Sequence, residues 1–250
     1  GLGSVGSNFE LLLSSSNGGC ANSVPIVGMM TTGGIDFAWN IYSPWGLNWR
    51  FTGDTSNADP GSWLANENTT PTGVANATTV RLRYNFMNRG TTSQVLSAEG
   101  RKKLQYTTDS PDSLTATWTD VDADDGSGIW RYNNCSSGTD DSAIGTNRLT
   151  RSTQVGDFIE DSGNITQTHN AGPAAAIEND YCIEANGVGS LTTYYFRAYD
   201  NEQKTPVYRE QDNDGANDCA TAACTYPSLT TAAQTITVSG TCDGYDQTTH

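Results

Sequence analysis

The sequence predicts an all-β protein, an antiparallel Ig-like or jelly-roll β-sandwich with extra N- and C-terminal strands, and three observations carry that expectation. Apolar residues alternate with a period of two wherever a period is clear, as in Val80-Arg81-Leu82-Arg83-Tyr84-Asn85-Phe86. Gly, Ser, Thr and Asn together fill about two-fifths of the 250 residues, furnishing strand exteriors and turns. No window of about 11 residues sustains the i, i+3, i+4, i+7 apolar stripe of a helix, and residues 171–177 are expected to form one helical turn at most.

Taken in order, the first strand candidate is Asn8-Phe9-Glu10-Leu11-Leu12-Leu13, in a Gly- and Ser-rich, nearly uncharged segment. Residues 35–41 follow, with Trp39 among alternating apolar neighbours. Residues 80–86 are expected to be a half-buried strand, with Val80, Leu82, Tyr84 and Phe86 inward and the arginines outward. Shorter runs at 104–106, 115–118, 129–132, 181–184, 193–199 and 235–238 complete the set. Asn-, Asp-, Gly- and Ser-rich clusters such as Asn88-Arg89-Gly90 punctuate them as turns. The chain is thereby divided into an N-terminal extension with a candidate donor strand (1–46), a sandwich domain (47–232) and a C-terminal strand and tail (233–250).

Seven segments of the middle region, Asn48-Trp49-Arg50-Phe51, Ala65-Asn66-Glu67-Asn68-Thr69-Thr70-Pro71, Val80-Arg81-Leu82-Arg83, Lys103-Leu104-Gln105-Tyr106, Trp118-Thr119-Asp120-Val121, Tyr194-Tyr195-Phe196-Arg197 and Tyr226-Pro227-Ser228-Leu229-Thr230-Thr231-Ala232, resemble a module repeated in long secreted and cell-surface proteins of bacteria. The resemblance spans roughly residues 47–232 and implies an extracellular β-sandwich with no catalytic residues to carry over. Only one copy is present here, which suggests that repetition is made by assembly.

Charge narrows the partners. Thirteen Lys and Arg face 28 Asp and Glu, a net charge of −15, and the only lysines are Lys102, Lys103 and Lys204. Such a chain lacks the basic stripe that phosphate backbones or anionic lipids require. Its longest apolar runs fall far short of the roughly 18 residues of a membrane span. Beginning at Gly1 with no basic segment before an apolar core, it is expected to be an exported, mature form.

Six cysteines, Cys20, Cys135, Cys182, Cys219, Cys224 and Cys242, show no zinc-type spacing and suit disulfides in an oxidising compartment. Cys219 and Cys224 can close a small loop. The remaining four admit three pairings, of which Cys135–Cys182 within the domain and Cys20–Cys242 between the extensions is preferred. The segment Glu210-Gln211-Asp212-Asn213-Asp214-Gly215-Ala216-Asn217-Asp218 is similar to the calcium loop of thrombospondin type 3 and dockerin-like repeats. Oxygens of Glu210, Asp212, Asp214 and Asp218 can converge because Gly215 permits the sharp turn, although Thr221 stands where a bidentate Glu is usual. Asp122 and Asp124, in Asp122-Ala123-Asp124-Asp125-Gly126-Ser127-Gly128, form a second calcium candidate that turn chemistry alone also explains. Sequons at Asn68, Asn76, Asn134 and Asn164 follow from a Thr- and Asn-rich composition.

Catalysis is not expected. The two histidines are His169, in a polar stretch read as a loop, and His250, and no nucleophile elbow accompanies either. Trp39, Tyr42, Trp45, Trp49 and Trp63 cluster, and Trp45, placed in a turn, is the one expected to meet a sugar or a partner subunit. Two functions from different classes are therefore expected. One is an extracellular filament, pilus or tube subunit, a homopolymer formed by strand complementation, with Phe9, Leu11 and Leu13, or else Ile236 and Val238, as the donated side chains. The alternative is a cell-surface adhesin or carbohydrate-binding sandwich that recognises surface glycans.

Overall fold

The computed structural model describes residues 44–54, 62–88, 94–96, 102–136, 138–161, 169–200, 205–209 and 225–234. Among these residues there are fourteen strands and no helix: β1 (Pro44–Gly53), β2 (Thr72–Val74), β3 (Thr79–Asn88), β4 (Gln94–Leu96), β5 (Lys102–Thr107), β6 (Thr119–Asp120), β7 (Trp130–Tyr132), β8 (Gln154–Ile159), β9 (His169–Ala171), β10 (Ala176–Ala185), β11 (Thr193–Asp200), β12 (Thr205–Pro206), β13 (Tyr208–Arg209) and β14 (Ser228–Thr231). β1 begins three residues ahead of the expected domain boundary at residue 47.

Two six-stranded sheets form an all-β sandwich. The first runs β13-β1-β3-β10-β7, with β8 lying parallel to β10 beside β7. The second runs β2-β14-β11-β5-β6, with β12 on the end of β11. Most pairings are antiparallel; β1 with β13, β10 with β8 and β14 with β2 are parallel. β4 and β9 make a separate two-stranded ribbon, so His169 lies in a strand opposite Leu96 instead of in a loop.

The period-two residues fill the space between the sheets. Trp49, Phe51, Val80, Leu82, Tyr84, Phe86, Tyr181 and Ile183 of one sheet meet Leu104, Tyr194, Phe196, Ala198 and Leu229 of the other in one buried cluster. Aromatic edges bridge the layers: Trp130 stands 5.2 Å from Phe196 and 5.5 Å from Tyr194, and Phe51 stands 5.9 Å from Phe196, all edge to face.

Three local expectations are corrected. β3 is not half-buried: Arg81, Arg83 and Asn85 on its outer face are as inaccessible as Leu82 inside, because the segment 138–161 lies over them. Residues 115–118 are not a strand. Thr117 donates its N–H to Asp109 and Thr115 to the Ser113 hydroxyl, local bonds that compete with a ladder, so β6 starts only at Thr119. Trp45 lies within β1, not in a turn, paired with Met87 and Tyr208. Pro44 is tolerated as the first residue of that strand, and Gly46 leads into a bulge where a side chain would overlap the buried Tyr84 ring.

Candidate functional site

The densest polar grouping follows from register. β10 runs antiparallel to β3 with Glu178 opposite Asn85, Asp180 opposite Arg83 and Cys182 opposite Arg81. Asp180 accepts from Arg81 Nη2 and forms an ion pair with Arg83, whose Nε lies 2.6 Å from Oδ2. Arg83 Nη1 also lies 3.1 Å from Glu178 Oε1 and donates to the Thr146 carbonyl. The covering segment supplies what remains. Glu178 accepts the backbone N–H of Arg148 and Leu149 and the Ser152 hydroxyl, at 2.7 to 3.0 Å. The Phe158 ring lies against both guanidiniums, 5.0 and 5.8 Å away. Gly156 allows β8 to approach this closely, since a methyl group there would collide with the Asn179 side chain and the Glu178 carbonyl. Two arginines and two carboxylates are thus paired and held by fixed donors, an arrangement that fastens the 138–161 segment to the sheet.

The start of that segment is also tied covalently, by a disulfide between Cys135 and Cys182. Glu160 lies beside it, with a carboxylate oxygen within 4.8 Å of the sulfurs, and accepts the Cys135 N–H at 2.9 Å. Asp140 in turn accepts the Glu160 N–H at 2.8 Å. The Cys, Glu, Cys grouping has metal-type donors, but both sulfurs are spent in the disulfide and lack the thiolate that a metal takes. Burial pushes the Glu160 and Asp140 carboxyls above their ordinary values, and their mutual repulsion adds to it for Glu160. A carboxyl raised in the folded state binds its proton more readily there than in the unfolded chain. These two groups therefore add stability as pH falls through their raised values, in full once pH is below the ordinary carboxyl range. Glu160→Gln keeps the acceptor for Cys135 and removes the titration. We expect the difference in urea-unfolding free energy between pH 7 and pH 4.5 to move less toward acid stability in Glu160→Gln than in the parent; parallel pH profiles would refute the assignment.

The other predicted residues are placed as follows. Asp122 accepts the N–H groups of Ala123 and Gly128 through its two carboxylate oxygens, and Asp124 accepts from Asn134. Protein donors thus engage both members of that calcium candidate. Trp45 is half-buried along β1. Glu210, Asp212, Asp214, Asp218, Phe9, Leu11, Leu13, Ile236, Val238, Cys20, Cys219, Cys224 and Cys242 lie outside the described residues.

A further grouping was not anticipated. A cleft of about 430 Å³ opens between the 111–118 loop and the junction of β12 with β13, lined among others by Trp118, Arg197, Arg209, Tyr226, Asp112 and Leu114. The Arg197 guanidinium stacks on the Trp118 ring at 4.2 Å, and Tyr226 is tilted against the same ring at 5.6 Å. Gln105 orients Arg197 by accepting from its Nε at 2.9 Å, and itself donates to Asp120 at 2.7 Å. Partial burial alone would raise the Asp120 carboxyl; hydrogen bonds from Lys103 and Gln105 outweigh it and hold the carboxyl below its ordinary range. Arg209 donates to Asp112 at 2.8 Å. Alternation in 115–118 reads as a strand and gives no sign of the half-open position of Trp118; the Ser110-Pro111-Asp112-Ser113 turn signal just before it is the clue that the loop leaves the sheet.

No family model, no curated protein and no solved structure matches the chain.

Proposed function

We propose that this chain is an exported structural protein whose sandwich polymerises into a filament, pilus or tube by exchange of strands between neighbouring copies. The observation that supports this most directly is at the sheet edges. β2, β6, β12 and β13 are two or three residues long, against six to ten for β1, β3, β5, β10 and β11. β6, for instance, pairs with two of the six residues of β5, Gln105 and Tyr106. Short flanking strands discourage indiscriminate pairing and, among the described residues, cover only part of the longer strands' length, which suits one specific added strand. Strand-type alternation at Phe9, Leu11 and Leu13, and again at Ile236 and Val238, lies in sequence beyond both β1 and β14. A donated strand makes a head-to-tail contact, which propagates as an open polymer wherever its rotation does not close a ring.

Electron micrographs of the full chain are expected to show regular polymers, and deletion of residues 1–14 to abolish them while far-UV circular dichroism retains its β signature. Monodisperse particles from the full chain would overturn the assembly reading. Polymers that survive the deletion would move the donor to Ile236 and Val238. The second reading, a glycan-binding cell-surface sandwich, is favoured by one observation, the aromatic cleft beside Trp118.

A further inference from the structure

We propose that the Trp118 cleft binds a sugar carrying a carboxylate, such as a uronate unit, at monosaccharide or disaccharide size. The site rests on the glycan-binding reading and is indifferent to assembly. Three features argue for that ligand class together.

The first is shape. A cleft of about 430 Å³ falls at the lower end of the range of small-molecule sites, roughly 300–1,000 Å³. The second is surface type. A pyranose presents apolar C–H faces and polar edges, so it needs an aromatic plate with hydrogen-bonding groups around it. Trp118 is half-buried with Tyr226 tilted against it, and Leu114 is 85% exposed on the 111–118 loop that forms one wall. The third is charge. Among the described residues the lining carries two guanidiniums, Arg197 and Arg209, and one carboxylate, Asp112. On a chain of net charge −15 this is a local positive excess, which favours an anion there over the surrounding surface.

The guanidiniums are also oriented before any ligand arrives. The row Asp120, Gln105, Arg197 fixes one of them over the Trp118 ring, and Asp112 holds the other. A planar guanidinium held in place suits a carboxylate better than a mobile ammonium would, because less side-chain freedom is lost on binding. Asp112 then acts against the ligand: it competes for Arg209, and its own charge repels the incoming acid.

That competition gives the test opposite signs at two neighbouring residues. The full chain is titrated with a digalacturonate and, separately, with its neutral counterpart digalactose, following intrinsic tryptophan fluorescence and the ¹H–¹⁵N shift of the Trp118 indole. Saturable binding of the uronate, with the neutral sugar weaker by about tenfold, is expected. Arg209→Gln should weaken uronate binding by about tenfold, one charge-assisted contact's worth. Asp112→Asn, a change on an exposed loop, should strengthen it several-fold. Trp118→Ala should abolish binding of both sugars. Equal binding of the two would overturn the acidic specificity and leave the glycan reading standing. Binding of neither would overturn both. An Asp112→Asn protein that binds the uronate no more tightly than the parent would overturn the assigned role of the arginine pair, whether or not Trp118→Ala folds.

Discussion

Asp180→Asn is expected to lower the unfolding free energy by about 3–5 kcal/mol, the usual consequence of removing one partner from a buried ion pair. Asp180 is 1% exposed and is the carboxylate shared by Arg81 and Arg83, themselves fully buried. The substitution conserves volume, so a cavity does not confuse the result. It removes the carboxylate that both guanidiniums share and turns an amide N–H₂ or a single oxygen toward them. Water cannot reach the site to compensate, because Phe158 and residues 146–152 close it. For a chain of this size each kcal/mol moves the midpoint of thermal unfolding by roughly 2–4 °C, which places the variant about 10 °C below the parent. Simultaneous replacement of Arg81, Arg83, Glu178 and Asp180 by apolar residues of similar volume should recover much of the loss, since the charges then need no partners. A single variant within about 1 kcal/mol of the parent would show that the four side chains are not a closed electrostatic unit.

The same four residues show what the sequence could disclose. Alternation in 80–86 correctly placed Val80, Leu82, Tyr84 and Phe86 toward the other sheet. It separates two faces, but it does not say that the polar face is wet. Arg81 and Arg83 find their carboxylates 95 to 99 residues away in sequence, on β10, and the covering segment comes from a third region. Nothing local encodes such a meeting. The 181–184 run showed that a strand was there, but not that its N-terminal half carried Glu178 and Asp180 into a buried face. Trp118 was missed for a related reason: the residues that make its cleft come from four separate stretches of chain, and only the turn before it is visible locally. Cysteine pairing is legible to the point of a preference among three alternatives, because with Cys219 and Cys224 set aside as a small loop, two of the remaining cysteines fall in the domain and two in the extensions.

Removing the Cys135–Cys182 bond is expected to cost about 4 kcal/mol, measured by urea unfolding of the Cys135→Ala, Cys182→Ala variant. The sequence separation of 47 sets that scale, because opening a loop of this length returns conformational entropy to the unfolded chain. The effect should reach beyond the two sulfurs. Cys135 follows β7, whose three residues pair with the last part of β10, and Cys182 sits opposite Arg81 in the β3 register. The bond therefore anchors the point where the chain leaves β7 for the segment that seals the buried charges. Cys182 is 2% exposed, so truncation to Ala also removes packing, and a Ser pair would bury hydroxyls; both variants are needed. If chain entropy dominates, the two should lose similar amounts; a large loss in only one would assign the effect to packing or to polar burial instead. Combination with Asp180→Asn then separates the covalent from the electrostatic tie. Losses that add would make them independent fasteners, whereas a combined loss smaller than their sum would show that both hold the same 138–161 segment, whose detachment either change already completes. The second result is the one expected, because Glu160 accepts the Cys135 N–H at one end of that segment while Arg148 and Leu149 donate to Glu178 in its middle.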